Sequence, residues 1–184
     1  MADSSPEAVK HPATPPSTLV VMGVSGCGKS AIAQLLAARL GWACLEGDAL
    51  HAPASIAKMR AGVPLEDDDR RDWLLRMQRC IGAAHAAGEP LVLACSALKR
   101  RYRDVLRQGD PVLAFVHLQA PPDVIAARMH DRVHFMPPAL LASQFGDLEA
   151  LHADERGAAF DATAGPDGIV TEIIGCFQVQ RVGL

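Results

Sequence analysis

Gly23-Val24-Ser25-Gly26-Cys27-Gly28-Lys29-Ser30 is the stretch whose reading decides the fold. An apolar run, Leu19-Val20-Val21-Met22, precedes it, and a helical pattern, Ala31-Ile32-Ala33-Gln34-Leu35-Leu36, follows. Strand, glycine-rich loop and helix in that order fit G-x-x-x-x-G-K-[ST], a phosphate-binding loop. Several backbone N–H groups must converge on the oxygens of a triphosphate. Only a loop with little side-chain bulk, able to reach positive φ, supplies them. The positive end of the following helix adds to the attraction. In such a loop Lys29 reaches the β- and γ-phosphates and the Ser30 hydroxyl holds a magnesium ion. The competing reading is a plain glycine-rich turn; the strand before and the helix after argue against it. Nucleotide binding is therefore expected, with Gly23, Val24, Ser25, Gly26, Cys27, Gly28, Lys29 and Ser30 around the phosphates.

Working outward, strands and helices alternate. Strands are expected at Thr18–Met22, Ala43–Leu45, Pro90–Cys95, Val112–Leu118 and, weakly, Ala159–Thr163. The continuous apolar runs at 91–94 and 112–118 are typical of strands buried on both faces. Helices fall between them: one after the loop to Leu40, one over 54–61, a longer one starting near Asp69, and others over 97–108, 121–132, 137–148 and 168–177. For the long helix, Asp69 is read as the N-cap, with Asp72 at the third position. Trp73, Leu74, Met77, Ile81 and Ala84 recur at helical spacing and mark a core face. This order implies an α/β, three-layer fold, with a five-stranded parallel sheet, helices on both faces and a small lid over about 128–138. Ligands then bind at the carboxyl ends of the strands. Residues 1–17, with Pro6, Pro12, Pro15 and Pro16, read as a disordered tail before a single domain at 18–184.

Composition narrows the function. The chain has 184 residues, enough to bury a sizeable core. A net charge of −3 speaks against a general nucleic-acid binder, which carries a basic excess. No apolar run approaches the ~20 residues of a membrane span, and the N-terminus lacks a signal-peptide pattern. Five cysteines without C-x-x-C spacing suggest reduced thiols in the cytoplasm. Cys44, Cys80, Cys95 and Cys176 read as small buried hydrophobes, and Cys27 as a filler within the loop.

Phosphoryl transfer needs positioning and charge neutralisation, and an acceptor held in line. Asp48, after the second strand, is the candidate to take the proton of the acceptor hydroxyl or to orient that hydroxyl. An ordinary turn aspartate beside Gly47 is an equal reading. His51, one turn on, either reaches the same ligand or lies on the surface. Glu66-Asp67-Asp68-Asp69 suits a solvated acidic turn and helix cap better than a metal site. The third strand ends Leu93-Ala94-Cys95-Ser96 without the usual carboxylate, which leaves magnesium to Ser30, the phosphates, water and Asp48. Lys99 and Arg103, at i, i+4, either bind an anionic substrate group or form a solvated basic face. Arg128 and Arg132, also i, i+4, either serve a transferring phosphoryl group from a lid or are a solvated face.

Taken together, these blocks resemble the gluconate kinases, small phosphate-loop enzymes akin to shikimate and nucleoside-monophosphate kinases. The matching stretches are 22–30, Gly47-Asp48-Ala49-Leu50-His51, Lys58-Met59, Gly62-Val63-Pro64-Leu65, Asp67-Asp68-Asp69-Arg70 and Trp73-Leu74. They continue with Cys95-Ser96-Ala97-Leu98-Lys99, Tyr102-Arg103-Asp104, His134-Phe135-Met136-Pro137-Pro138 and Ser143-Gln144-Phe145. The resemblance spans about 20–151. It implies transfer of the ATP γ-phosphate to the 6-hydroxyl of D-gluconate, with Mg2+. It implies that Asp48 and His51 face the sugar acid, that Lys99 and Arg103 help bind it, and that Arg128 and Arg132 lie on the lid. Dimers are common in that family, so a homodimer is a weak expectation. One departure stands out: Asp131-Arg132-Val133-His134 is shorter than the family's lid and lacks its glycine. The rival readings are a kinase for another small hydroxy acid or polyol such as shikimate, a nucleotide-dependent switch, and an inactive binding protein. Absence of an Asn-Lys-x-Asp segment argues against the switch; Lys29, Ser30 and Asp48 together argue against inactivity.

Overall fold

The computed structural model describes residues 14–130 and 140–182. Five strands form one parallel sheet: β1 (Thr18–Met22), β2 (Ala43–Glu46), β3 (Leu91–Ala94), β4 (Ala114–Gln119) and β5 (Gly157–Asp161). Their order across the sheet is β2-β3-β1-β4-β5. β1 pairs with β3 through Thr18 opposite Leu91 and with β4 through Leu19 opposite Ala114. The described helices are α1 (Lys29–Leu40), α2 (Pro53–Arg60), α3 (Asp67–Ala87), α4 (Arg100–Arg107), α5 (Pro122–His130), α6 (Leu141–Asp147) and α7 (Pro166–Phe177).

The period-2 geometry of a strand explains why the central strands are apolar throughout. Leu19 and Val21 of β1, Val92 and Ala94 of β3, and Val116 of β4 enter one core with α1, α5 and α7. Val20 and Met22, Leu91 and Leu93, and Phe115 enter a second core with Trp73, Leu74, Met77 and Ile81 of α3 and with Tyr102 and Leu106 of α4. Each of the central strands β1, β3 and β4 is thus covered twice, as the apolar runs require. β1 lies centrally, so its carboxyl end opens in the middle of the sheet edge, where the phosphate loop emerges.

Several boundaries differ from those expected. α3 begins at Asp67 and not near Asp69, because the Asp69 carboxylate reaches back to accept the Glu66 N–H at 3.0 Å and closes the first turn there. α4 begins only at Arg100: residues 95–98 are irregular, and Ala97 sits at φ 43°. Lys99 is therefore the residue before the helix and does not share a helical face with Arg103. Cys44 is exposed and Cys80 and Cys176 are half-buried, so of the four cysteines read as core fillers only Cys95 is buried. At the chain start, Ser17 Oγ donates to Asp110 at 2.7 Å and Thr14 O accepts from Arg156 at 2.5 Å, so 14–17 is anchored. Residues 1–13 of the expected tail lie outside the described residues.

Candidate active site

The loop between β1 and α1 has the backbone that its glycines foretell. Gly26 and Gly28 stand at φ 83° and 101°, a region that L side chains rarely enter. A Cβ on Gly28 would meet nothing within 4 Å, so the space above the loop is open; a Cβ on Gly26 would strike the Met129 side chain at 2.6 Å. The first N–H groups of α1 have no carbonyl a turn earlier in the helix and point into this space. Lys29 Nζ donates to Val24 O at 3.0 Å, folded across its own loop. Ser30 is exposed. On the far side, Gln144 of α6 accepts the Ser25 N–H at 2.6 Å and donates to Ser25 Oγ at 3.3 Å.

A cavity of about 310 Å3 lies over the loop, lined by residues 25–32, Asp48, Arg128, Ala162, Ala164, Pro166 and Ile169. Its polar end is the loop and Asp48. Its other end is small and apolar, formed between β5 and α7. A charged cradle joined to an apolar slot matches a nucleotide, phosphates at one end and base at the other. The donor set also fits a hard divalent cation: the Ser30 hydroxyl and the Asp48 carboxylate share the cavity, and Mg2+ binds through one or two protein oxygens plus phosphates. Among the described residues no three His, Cys, Asp or Glu side chains gather into a metal site of their own.

Asp48 sits in a 3₁₀ turn, Gly47–Leu50, directly after β2, and half of its side chain is exposed. Behind it, Trp73 Nε1 donates to Gly47 O at 2.7 Å, and its ring stacks on His51 with centroids 4.4 Å apart. His51 Nε2 lies 4.0 Å from Asp48 Oδ1. This is not an ion pair at neutral pH. Burial holds the His51 pKa below its usual value, outweighing the pull of Asp48, and the charges of Arg70 and Arg76 lower it further. His51 is thus buried and neutral, with Nδ1 lacking a partner.

Arg103, expected to help bind the substrate, is instead turned into the protein interior. It is fully buried, and its guanidinium grips Glu155 with two bonds, Nε to Oε1 at 2.7 Å and Nη2 to Oε2 at 2.8 Å. Its remaining donors go to the carbonyls of Ala97, Leu98, Glu149 and Ala150. All five N–H groups are spent inside the protein. Lys99 lies nearer the surface, with Nζ 2.9 Å from Asp147 and 3.5 Å from Asp67. Asp67 also accepts from Tyr102 Oη and pairs with Arg101, so this acidic residue is part of an ion network. Arg128, half-buried near the end of α5, lines the cavity. Arg132 lies outside the described residues, as does most of the expected lid.

A family model described as an AAA domain matches residues 19–148. A gluconokinase of Gluconobacter oxydans (strain 621H) is 45% identical over 166 residues, covering 90% of this chain and 93% of that protein. The chain belongs to the gluconokinase family. Among solved structures, a gluconokinase from Sinorhizobium meliloti 1021 is 46% identical, with a TM-score of 0.78 over 89% of this chain and 92% of its own. A sugar kinase from Janibacter sp. HTCC2649 is 44% identical, with a TM-score of 0.86 over 90% and 96%.

Within this family member, sequence reasoning missed three things. Ala162, Ala164 and Pro166 line the apolar end of the cavity but carry no chemistry that a motif could flag. Gln144 stands in the matching block Ser143-Gln144-Phe145 with no role attached; its hydrogen bonds to Ser25 span 119 positions. Trp73 was read as core, which it is, but its N–H and ring also fix the turn that presents Asp48.

Proposed function

We propose that the chain is a gluconokinase: an ATP-dependent kinase that transfers the γ-phosphoryl group to the 6-hydroxyl of D-gluconate, giving ADP and 6-phosphogluconate. Family membership supports this reading. The observation that carries it is the single cavity shared by the phosphate loop, Asp48 and Arg128. A donor cradle and an acceptor-side carboxylate must face one another for in-line transfer, and here they line one space.

The roles follow from position. Backbone N–H groups of the loop cradle the phosphates. Lys29 exchanges its bond to Val24 O for phosphate oxygens. The Ser30 hydroxyl would hold Mg2+ when it is bound, and the ion would supply charge neutralisation to the phosphates. Asp48 takes the proton of the attacking hydroxyl or orients it, as the bond from oxygen to the γ-phosphorus forms and that to the β-phosphate oxygen breaks. Neutral His51 offers the acceptor a hydrogen bond without adding charge. Arg128 stabilises the transferring group from the α5 side. Lys99 remains a candidate for the rim of the acceptor site. The proposed setting is the cytoplasm; among the described residues no helix is long and apolar enough to cross a membrane. A homodimer is part of the proposal, and light scattering of the purified chain tests it.

The deciding experiment measures ADP release with a panel of sugar acids, polyols and shikimate. Stimulation by gluconate above all others supports the reading. Nucleotide hydrolysis indifferent to every acceptor would sink it.

A further inference from the structure

Several cations are matched by carboxylates inside the fold. Arg103 has Glu155, Lys99 has Asp67 and Asp147, and Lys58 has Asp69. Arg70, in the first turn of α3, is different. It is only 9% exposed, yet among the described residues no carboxylate lies within 4.0 Å of it. One Nη2 donates to Leu65 O at a long 3.3 Å, and Nε is buried with no partner. Its guanidinium rests 5.8 Å from the centre of the Tyr102 ring. Desolvating a guanidinium is costly unless an anion compensates, and a buried donor without an acceptor is an exception that asks for a cause.

Location supplies one. Arg70 lines a small cleft with Leu65, Ser143 and Gln144, and Gln144 is the residue that holds Ser25 of the phosphate loop. On its other side its charge acts on His51, the neighbour of Asp48. The free space in the cleft is about 10 Å3, room for one water-sized oxygen.

We propose that Arg70 binds the carboxylate of the acceptor and makes the site selective for sugar acids over their uncharged counterparts. This rests on the kinase reading above. It goes beyond that reading by naming the residue that reads the acid, in place of Arg103. A guanidinium makes a charge-assisted hydrogen bond to a carboxylate oxygen, and a neutral amide of the same shape forfeits the charge.

The test compares D-gluconate with D-gluconamide, its uncharged isostere, using the full chain and saturating MgATP. For the wild type, kcat/KM should favour the acid by on the order of 100-fold. Arg70→Gln should remove most of that preference by raising KM for gluconate, with KM for ATP little changed. Arg70→Lys, which keeps the charge but not the fork, should give an intermediate ratio. Without any variant, the 15N-arginine spectrum of the wild-type chain should show a buried Nε signal that moves with gluconate and not with gluconamide. Turnover of gluconate with no acid preference would overturn this proposal and leave the kinase reading standing. So would an unchanged preference in a folded variant, or an Nε signal indifferent to gluconate. Failure of the wild type on both acceptors would overturn the kinase reading, and this proposal with it.

Discussion

Replacing either partner of the buried Arg103–Glu155 pair should destabilise the protein without touching its ligand site. Both side chains are wholly inaccessible. Arg103 joins α4 to the carbonyls of 97 and 98 on one side and of 149 and 150 on the other. Glu155 also accepts the His152 N–H at 3.0 Å, so the pair closes the segment that leads into β5. Glu155→Gln leaves a buried guanidinium facing a neutral amide. Removing one partner of a buried ion pair costs about 3–5 kcal/mol. At roughly 2–4 °C per kcal/mol for a chain of this size, the melting temperature should fall by about 6–20 °C. Arg103→Met should cost at least as much, since it strands Glu155 and four carbonyls together. The double variant Arg103→Met, Glu155→Leu removes both charges, and should melt above Arg103→Met though below wild type, because the carbonyls still lack donors. Circular dichroism melts give these values, and steady-state kinetics on the folded fraction give KM. A melt for Arg103→Met within about 2 °C of wild type, coupled to a large rise in gluconate KM, would refute the structural role and restore Arg103 as a ligand residue.

Three further outcomes are expected. Lys29→Ala should lower turnover by orders of magnitude with the melt unchanged, because its partner on binding is the ligand; preserved turnover would show that the phosphate loop is misassigned. Asp48→Asn should depress kcat far more than it weakens ATP binding measured by calorimetry, and equal losses would make Asp48 a metal or structural residue. The third concerns pH. Burial pushes the Glu155 carboxyl up, but the hydrogen bonds from Arg103 and the His152 N–H, with the charges of Arg103 and Arg107, together outweigh it, and the folded pKa lies below the usual 4.5. A depressed folded pKa contributes stability that is present above the unfolded value and lost as pH falls through the folded one. The urea midpoint of the wild type should therefore decline as pH drops below about 4.5, and Glu155→Gln should decline less steeply over that range.

What was legible in the chain was the information carried by near neighbours. The Gly23–Ser30 loop is a local object, fixed by three positive-φ glycines and one helix start, and it was read at once with the strand before it and the helix after it. The buried strands were legible because an apolar run four or five residues long has few other places to go. Element starts were less so: Asp69 looked like a cap and is instead the residue that reaches back to Glu66, a choice between two acids three positions apart that propensity does not resolve. Charge assignment failed for a different reason. Arg103 carries the same side chain, in as basic a setting, as a ligand-binding arginine would, and its partner stands 52 positions later. Arg70 was passed over in an acidic run whose charges look sufficient to neutralise it, yet Asp67 is taken by Tyr102, Lys99 and Arg101, and Asp69 by Lys58. Which cation belongs to the protein and which to the ligand is a question of pairing across the whole fold. Once the internal pairs are drawn, two buried cations among the described residues stand without a carboxylate, Lys29 in the phosphate loop and Arg70 in α3; the loop assigns the first to the nucleotide, the proposal above assigns the second to the acceptor, and that subtraction needs coordinates.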